Sequence, residues 1–172
     1  KSEVSSYVRV NYAFRKFSFY GDMQYRFIDY SYFGTSEVNG ALQEGREQTT
    51  FSFFNPKAGL IYNFSTRTQV YGSLAVGNRE PVRDDFRQPV GGVKPQSEQI
   101  ANTELGFRHQ SPRFLFKSNV YWMNYKNQLI LTGQINDAGG YTRTNVAKSY
   151  RLGLELEAAY KLSEKLTVSG NV

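Results

Sequence analysis

A chain of 172 residues is one domain, or a piece of a larger one, and is too short for two. It has no cysteine and a single histidine, which excludes a disulfide scaffold, a thiol nucleophile and a cysteine-ligated metal centre. The formal charge of +6, from 21 Lys and Arg against 15 Asp and Glu, is scattered. Its longest basic run is Arg15-Lys16, so no nucleic-acid partner is expected. Mean hydropathy is that of a polar chain, and no run approaches the roughly 18 apolar residues of a spanning helix. Membrane strands are not excluded, because their lipid-facing residues alternate with polar ones. The first residues show no basic-apolar-small leader and read as a processed or excised start. Aromatic residues make up 16% of the chain, with 13 Tyr and 13 Phe, and that excess needs an explanation.

In chain order, residues 4–14 alternate with period two: Val4, Val8, Val10, Tyr12 and Phe14 against Ser5, Arg9 and Asn11. This is the signature of a half-buried strand. A minimal break at Arg15-Lys16 leads into a second alternating strand from Phe17 to Phe27, a tight hairpin. Residues 31–50 dissolve into Gly, Ser, Asn, Glu and Gln and predict a long loop. The cycle repeats with strands over 51–64 and 68–76, a short break at 65–67, and a long polar stretch over 77–97. A third round covers 98–109, a turn at 110–113, a strand over 114–131 and a glycine-containing loop over 132–140. The fourth takes 141–160, turns near Leu162-Ser163-Glu164 and enters 166–172. Eight strands are expected, with short and long connections in alternation.

Many of these strands exceed ten residues, against about five or six in soluble sheets. A tilted strand crossing a bilayer needs about 9 to 11 residues, and transmembrane barrels sort short turns to one side and long loops to the other. The faces agree. Tyr150, Leu152, Leu154, Leu156, Ala158 and Tyr160 form an apolar row, opposed by Ser149, Arg151, Gly153, Glu155, Glu157 and Ala159. Aromatic residues bracket the aliphatic run at both ends, as interfacial girdles do. The fold class expected is all-β, an antiparallel transmembrane β-barrel wall.

Several stretches carry a resemblance. Asn55-Pro56-Lys57-Ala58-Gly59-Leu60-Ile61-Tyr62 and the run from Val70-Tyr71-Gly72 to Asn78-Arg79-Glu80-Pro81 resemble the barrel of TonB-dependent outer-membrane receptors. Lys94-Pro95-Gln96-Ser97-Glu98 with Asn102-Thr103-Glu104-Leu105-Gly106-Phe107 is similar to that family's "KPE…ELG" segment. Thr144-Asn145-Val146-Ala147-Lys148-Ser149-Tyr150 through Leu156 is similar to its "TNVGKSYxxGxE" strand, with Ala147 where the family often has Gly. The resemblance covers most of the chain from Phe51 onward. It implies a barrel of about 22 strands in the outer membrane of a Gram-negative bacterium, plugged by a globular domain. It further implies import of a scarce nutrient such as a ferric siderophore, haem, cobalamin or a glycan. The partners implied are outer-membrane lipid, a small-molecule nutrient, and the inner-membrane energising complex reached through plug and box segments. Residues 1–172 are expected to form one partial barrel domain, central to late in the wall, in which neither plug nor TonB box is visible.

Catalytic chemistry is poorly provided for, and no enzyme, cofactor or metal site is expected. His109 falls beside a turn signal and reads as an interfacial side chain. Glu155 and Glu157 stand about 6 to 7 Å apart on one strand face, a separation that suits acid–base work, yet Arg151 and Lys161 on the same face make them wall charges. Asp84-Asp85 lacks the ligand spacing of a calcium loop. Gly133, Gly139 and Gly140 serve turns. The substrate-binding candidates lie in the loop over 77–97: Arg79, Arg83, Asp84, Asp85, Phe86 and Arg87. Guanidinium groups there can bind carboxylate, catecholate or phosphate oxygens in pairs, and Phe86 offers a stacking face. Tyr30 and Tyr32, with Phe33, form a second aromatic cluster, for which an outer girdle is the competing structural role.

Two other architectures fit parts of the pattern. One is a complete eight-stranded outer-membrane barrel with a structural or adhesive role. The other is a soluble lipocalin-like barrel, in which Leu152, Leu154 and Leu156 would point into a closed interior.

Overall fold

The computed structural model describes residues 1–38, 41–87, 93–135 and 140–172. Eight strands follow one another as β1 (Ser2–Phe14), β2 (Phe17–Val38), β3 (Ala41–Asn63), β4 (Thr68–Arg79), β5 (Glu98–Gln110), β6 (Phe114–Ile135), β7 (Tyr141–Ser163) and β8 (Leu166–Asn171), with one short helix, α1 (Arg83–Arg87), between β4 and β5. They form a single antiparallel meander in which every strand pairs with its sequence neighbours. No pairing joins β1 to β8 among the described residues, so the sheet is an open length of wall rather than a closed eight-stranded barrel.

The boundaries depart from the sequence expectation at the long-connection end. Residues 31–50 are not a loop: β2 continues to Val38 and β3 begins at Ala41, with the ladder unbroken from Phe17↔Tyr62 to Val38↔Ala41. Beyond the lipid there is no apolar partner to impose alternation, but backbone pairing continues. Strands β4 and β6 likewise run on to Arg79 and Ile135. β7 extends to Ser163, moving its turn to Glu164 and Lys165, with a register irregularity between Lys161 and Ser163. Gly133, at φ 81°, lies in the irregular stretch between Leu131 and Ile135, where a left-handed backbone suits glycine. Gly139 lies outside the described residues.

The short-turn end is tight. Arg15 takes φ 52° in the two-residue β1–β2 turn, and Lys16 O accepts a 2.8 Å hydrogen bond from Asn63 N, fixing that turn to β3.

Because directly paired residues share a face, the registers define two surfaces. One carries Tyr12–Phe19–Leu60–Gly72–Leu105–Val120–Leu154 as a continuous cross-strand row. Leu74, Leu105, Leu152 and Leu154 on this face are exposed, not enclosed, which removes the lipocalin-like alternative. Aromatic residues edge it near the short turns with Phe14, Phe17, Tyr62, Phe114 and Tyr160, and toward the long connections with Tyr25, Phe54, Trp122 and Tyr150. The opposite face carries Arg9, Asp22, Lys57, Glu104, Lys117, Asn119, Glu155 and Glu157. An apolar band between aromatic girdles and a polar reverse face define a transmembrane barrel wall. No helix among the described residues is long and apolar enough to cross a membrane; the strands do so.

Candidate ligand-facing mouth and inner wall

The polar face has a repeated device. Tyr20 pairs with Gly59, Tyr71 with Gly106 and Tyr121 with Gly153, once in each of the hairpins β2–β3, β4–β5 and β6–β7. In each pair the tyrosine ring occupies the space a Cβ on the glycine would fill. The rings therefore lie flat across the neighbouring strand, covering the backbone that glycine leaves bare. Tyr71 Oη donates to Asn119 Oδ1 at 3.2 Å, and Asn119 Nδ2 donates to Glu155 at 3.4 Å. Lys117 Nζ pairs with Glu157 at 2.9 Å and Arg9 Nε with Asp22 at 2.6 Å. Glu155 and Glu157 are thus members of a charged lining, each with its own partner.

Toward the long connections the same face closes into a small core. Ile28 and Tyr30 of β2 and Phe53 of β3 are buried together with Phe86 of α1, and Phe51 packs against them. The Tyr30 and Phe86 rings stack with centroids 5.5 Å apart. Helix α1 is thereby drawn onto the inner side of the wall. Its start is set locally: Pro81 is fully buried, and the Asp85 carboxylate accepts the Val82 N–H at 2.8 Å, the N3-to-N-cap half of a capping box. The other Asp85 oxygen meets Arg143 Nε of β7 at 3.5 Å. One face of a five-residue helix therefore ties β2 and β3, and its first turn ties β7, so the described parts of the loop, residues 80–87 and 93–97, form a strap held against the inner side of the mouth.

Two further networks fix the strap's ends. At its start, Glu80 receives Lys1 Nζ at 2.6 Å and Arg26 at 3.5 Å, and Arg26 also reaches Glu3 at 2.8 Å. Burial alone would disfavour the Glu80 charge, but the Lys1 hydrogen bond and the neighbouring cations outweigh it and hold the carboxyl below its ordinary range. At its end, the Asn145 amide brackets the Gln96 backbone, accepting Gln96 N–H at 2.8 Å and donating to Gln96 O at 3.0 Å. Glu98 joins Arg79 Nε at 2.9 Å to the Leu129 N–H at 3.0 Å.

The sequence candidates are distributed accordingly. Tyr30, Asp85 and Phe86 are buried and engaged in holding the strap. Tyr30 lies on the inner face, not on the outer girdle proposed as its competing role, whereas Phe33 is exposed. Arg79 is paired with Glu98 yet 54% exposed, and Arg83 and Asp84 are exposed. The side chains of Tyr32 and Arg87 lie outside the described ones. His109 Nδ1 lies 2.9 Å from Thr68 Oγ1 beside Phe114, at the short-turn girdle. Among the described residues no group of three or more His, Asp or Glu side chains could hold a metal ion. Asn145, Asn127, Gln96 and Glu80 were not singled out by the sequence reading: polar pairs between distant strands leave no periodic signal.

An open antiparallel wall with a lipid-type outer face and a charged inner face belongs to a large outer-membrane barrel. A family model for "TonB dependent receptor-like, beta-barrel" matches residues 1–172, and the chain belongs to that family. It resides in the outer membrane of Gram-negative bacteria. No curated relative matches in sequence. Among solved structures, the copper transporter OprC superposes with TM-score 0.85 at 13% identity, covering 98% of this chain and 28% of that one. The ferric yersiniabactin uptake receptor FyuA from Yersinia pestis gives 0.75 at 16%, covering 99% and 26%. The hemophore receptor HasR of Serratia marcescens, in complex with its hemophore HasA and heme, gives 0.68 at 15%, covering 92% and 32%. The chain thus spans between a quarter and a third of the length of these structures.

Proposed function

We propose that this chain forms part of the wall and outer mouth of an energy-coupled importer for a scarce nutrient of the ferric-siderophore, haem, cobalamin or glycan class, and that it performs no covalent chemistry. The observation that carries the reading is the family match over the whole chain. The names of the similar structures, which include transporters or receptors for copper, ferric yersiniabactin and a heme-bearing hemophore, support import as the class of activity. Energy comes from the inner-membrane complex acting on a plug and box carried elsewhere in the receptor. Nutrient contacts are assigned to the strap and its surroundings, with Arg79, Arg83 and Asp84 exposed to solvent and Tyr30, Asp85 and Phe86 setting the strap's position. Arg79 and Arg83 suit an anionic ligand.

The test is growth of a deletion strain on single sources of iron, haem, cobalamin and glycan, complemented by the receptor or by its Arg79→Ala/Arg83→Ala variant. Loss of growth on one source, restored by the receptor and weakened in the variant, is expected. Unchanged growth on every source would sink the importer reading; full rescue by the variant would sink the arginine assignment alone.

A further inference from the structure

Where its side chains are described, the outward face is almost free of charge: the charged strand residues on it are Asp29 on β2 and a pair of lysines, Lys126 on β6 and Lys148 on β7. The two lysines are direct cross-strand partners. Residues so paired have Cβ atoms about 4.5 to 5.5 Å apart, and like charges in this position repel. Both are exposed, and neither has a hydrogen bond or ion pair among the described residues. Four cations of the opposite face and rim are paired with carboxylates: Arg9 with Asp22, Arg26 with Glu3, Arg79 with Glu98 and Lys117 with Glu157. Position along the strand is informative too. Lys148 follows Tyr150 outward from the aliphatic run Leu152–Leu154–Leu156, and Lys126 lies two steps beyond Trp122 on the same face. Amphipathic rings sit at the hydrocarbon–headgroup boundary, which puts both ammonium groups among headgroups on the long-connection side, the external leaflet. A cleft of about 440 Å³ opens there, lined by Gln99, Ala101, Asn124 and Tyr150 together with the two lysines.

We propose that Lys126 and Lys148 form a binding site for a phosphate-bearing lipid headgroup of the outer leaflet. A phosphate between the two ammonium groups turns their repulsion into two charge-assisted hydrogen bonds. Tyr150 and Trp122 flank the acyl chains below.

The probe is lipid A, with its dephosphorylated form, phosphatidylcholine and inorganic phosphate as further arms, titrated onto the intact purified receptor and read by native mass spectrometry. The receptor should retain lipid A more tightly than its dephosphorylated form, which lacks the phosphate, and than phosphatidylcholine, whose phosphate charge is balanced by its own choline cation. Each lysine removed should weaken retention about fivefold, so K126Q/K148Q should lose about 25-fold, while K126R/K148R, which keeps both charges, should retain it. Equal retention of lipid A by the receptor and K126Q/K148Q would overturn the proposal. So would inorganic phosphate binding as tightly as lipid A, which would mark a free-anion site.

Discussion

The side-chain amide of Asn145 on β7 hydrogen-bonds both the N–H and the C=O of Gln96, 49 residues earlier, acting toward the loop as a third strand would. It also donates to Asn127 O at 2.7 Å, a carbonyl freed because Asn127 takes φ 53° and drops out of the β6–β7 pairing between Lys126↔Lys148 and Gln128↔Val146. The "KPQSE" and "TNVAKSY" stretches are therefore two halves of one junction that ends the strap. Asn145→Ala removes both hydrogen bonds to the Gln96 backbone, and because that backbone is exposed each is worth about 0.5 to 1.5 kcal/mol. Hydrogen exchange of the Gln96 amide should speed at least tenfold, while amides in the middle of β5 keep their protection; unchanged exchange at Gln96 would refute the junction.

The tyrosine–glycine pairs predict a coupled mutational pattern. Gly106→Ala drives a methyl group into the Tyr71 ring and should cost about 1 to 3 kcal/mol. In Tyr71→Ser/Gly106→Ala the clash is gone, so the double variant should be more stable than the sum of the two single changes implies. Strict additivity in denaturant unfolding of the refolded receptor would show that ring and glycine do not touch.

Strap position rests on Phe86 more than on any single ion pair. Phe86→Ala removes the ring stacked on Tyr30 and should destabilise the docked strap by about 3 kcal/mol, exposing residues 80–87 to limited proteolysis while the strands stay resistant. Asp85→Ala, which loses the Val82 cap and the Arg143 contact together, should give a smaller increase in cleavage. Equal resistance of Phe86→Ala and the parent would show that the aromatic core does not hold the strap.

At the other end of the strap, the Glu80 carboxyl is held below its ordinary value near 4.5. A group depressed in the folded state binds fewer protons there than when unfolded, so its contribution is complete above about pH 4.5 and drains away as pH falls through the lowered folded value. Lys1 is raised above 10.5, chiefly by its hydrogen bond to Glu80, so its share is present below that pH and lost as pH rises through the raised value. Glu80→Gln should lower stability at pH 7 by about 1 kcal/mol or less, and its gap from the parent should narrow below pH 4.5. A gap that stays constant from pH 7 to pH 3 would contradict this.

The number of strands and the lipid-facing row were legible because lipid on one side imposes period two. Legibility stopped where that cause stops. Above the girdle, residues 31–38 and 41–50 keep their ladder but lose their alternation, so they read as loop. The strap was visible as a run rich in arginine and acid, and Phe86 as an aromatic within it. That Phe86 would face Tyr30 rather than solvent depends on where two distant elements end up, which no local pattern encodes. The opposed lysines of β6 and β7 were equally hidden, since their pairing depends on the β6–β7 register, which passes an irregularity between Leu131 and Ile135 on its way from the connecting end.

The account turns on which medium meets the apolar face, and the single tryptophan of the chain reports it. Trp122, paired with Leu152 and half exposed on that face, should lie in lipid. In the reconstituted receptor, the emission lost on Trp122→Phe substitution isolates its signal. That difference signal should be strongly quenched by lipids brominated in the acyl chain and little affected by iodide in the water. Quenching by iodide with no response to the brominated lipids would mean that this face meets water, and the wall reading would fall with it.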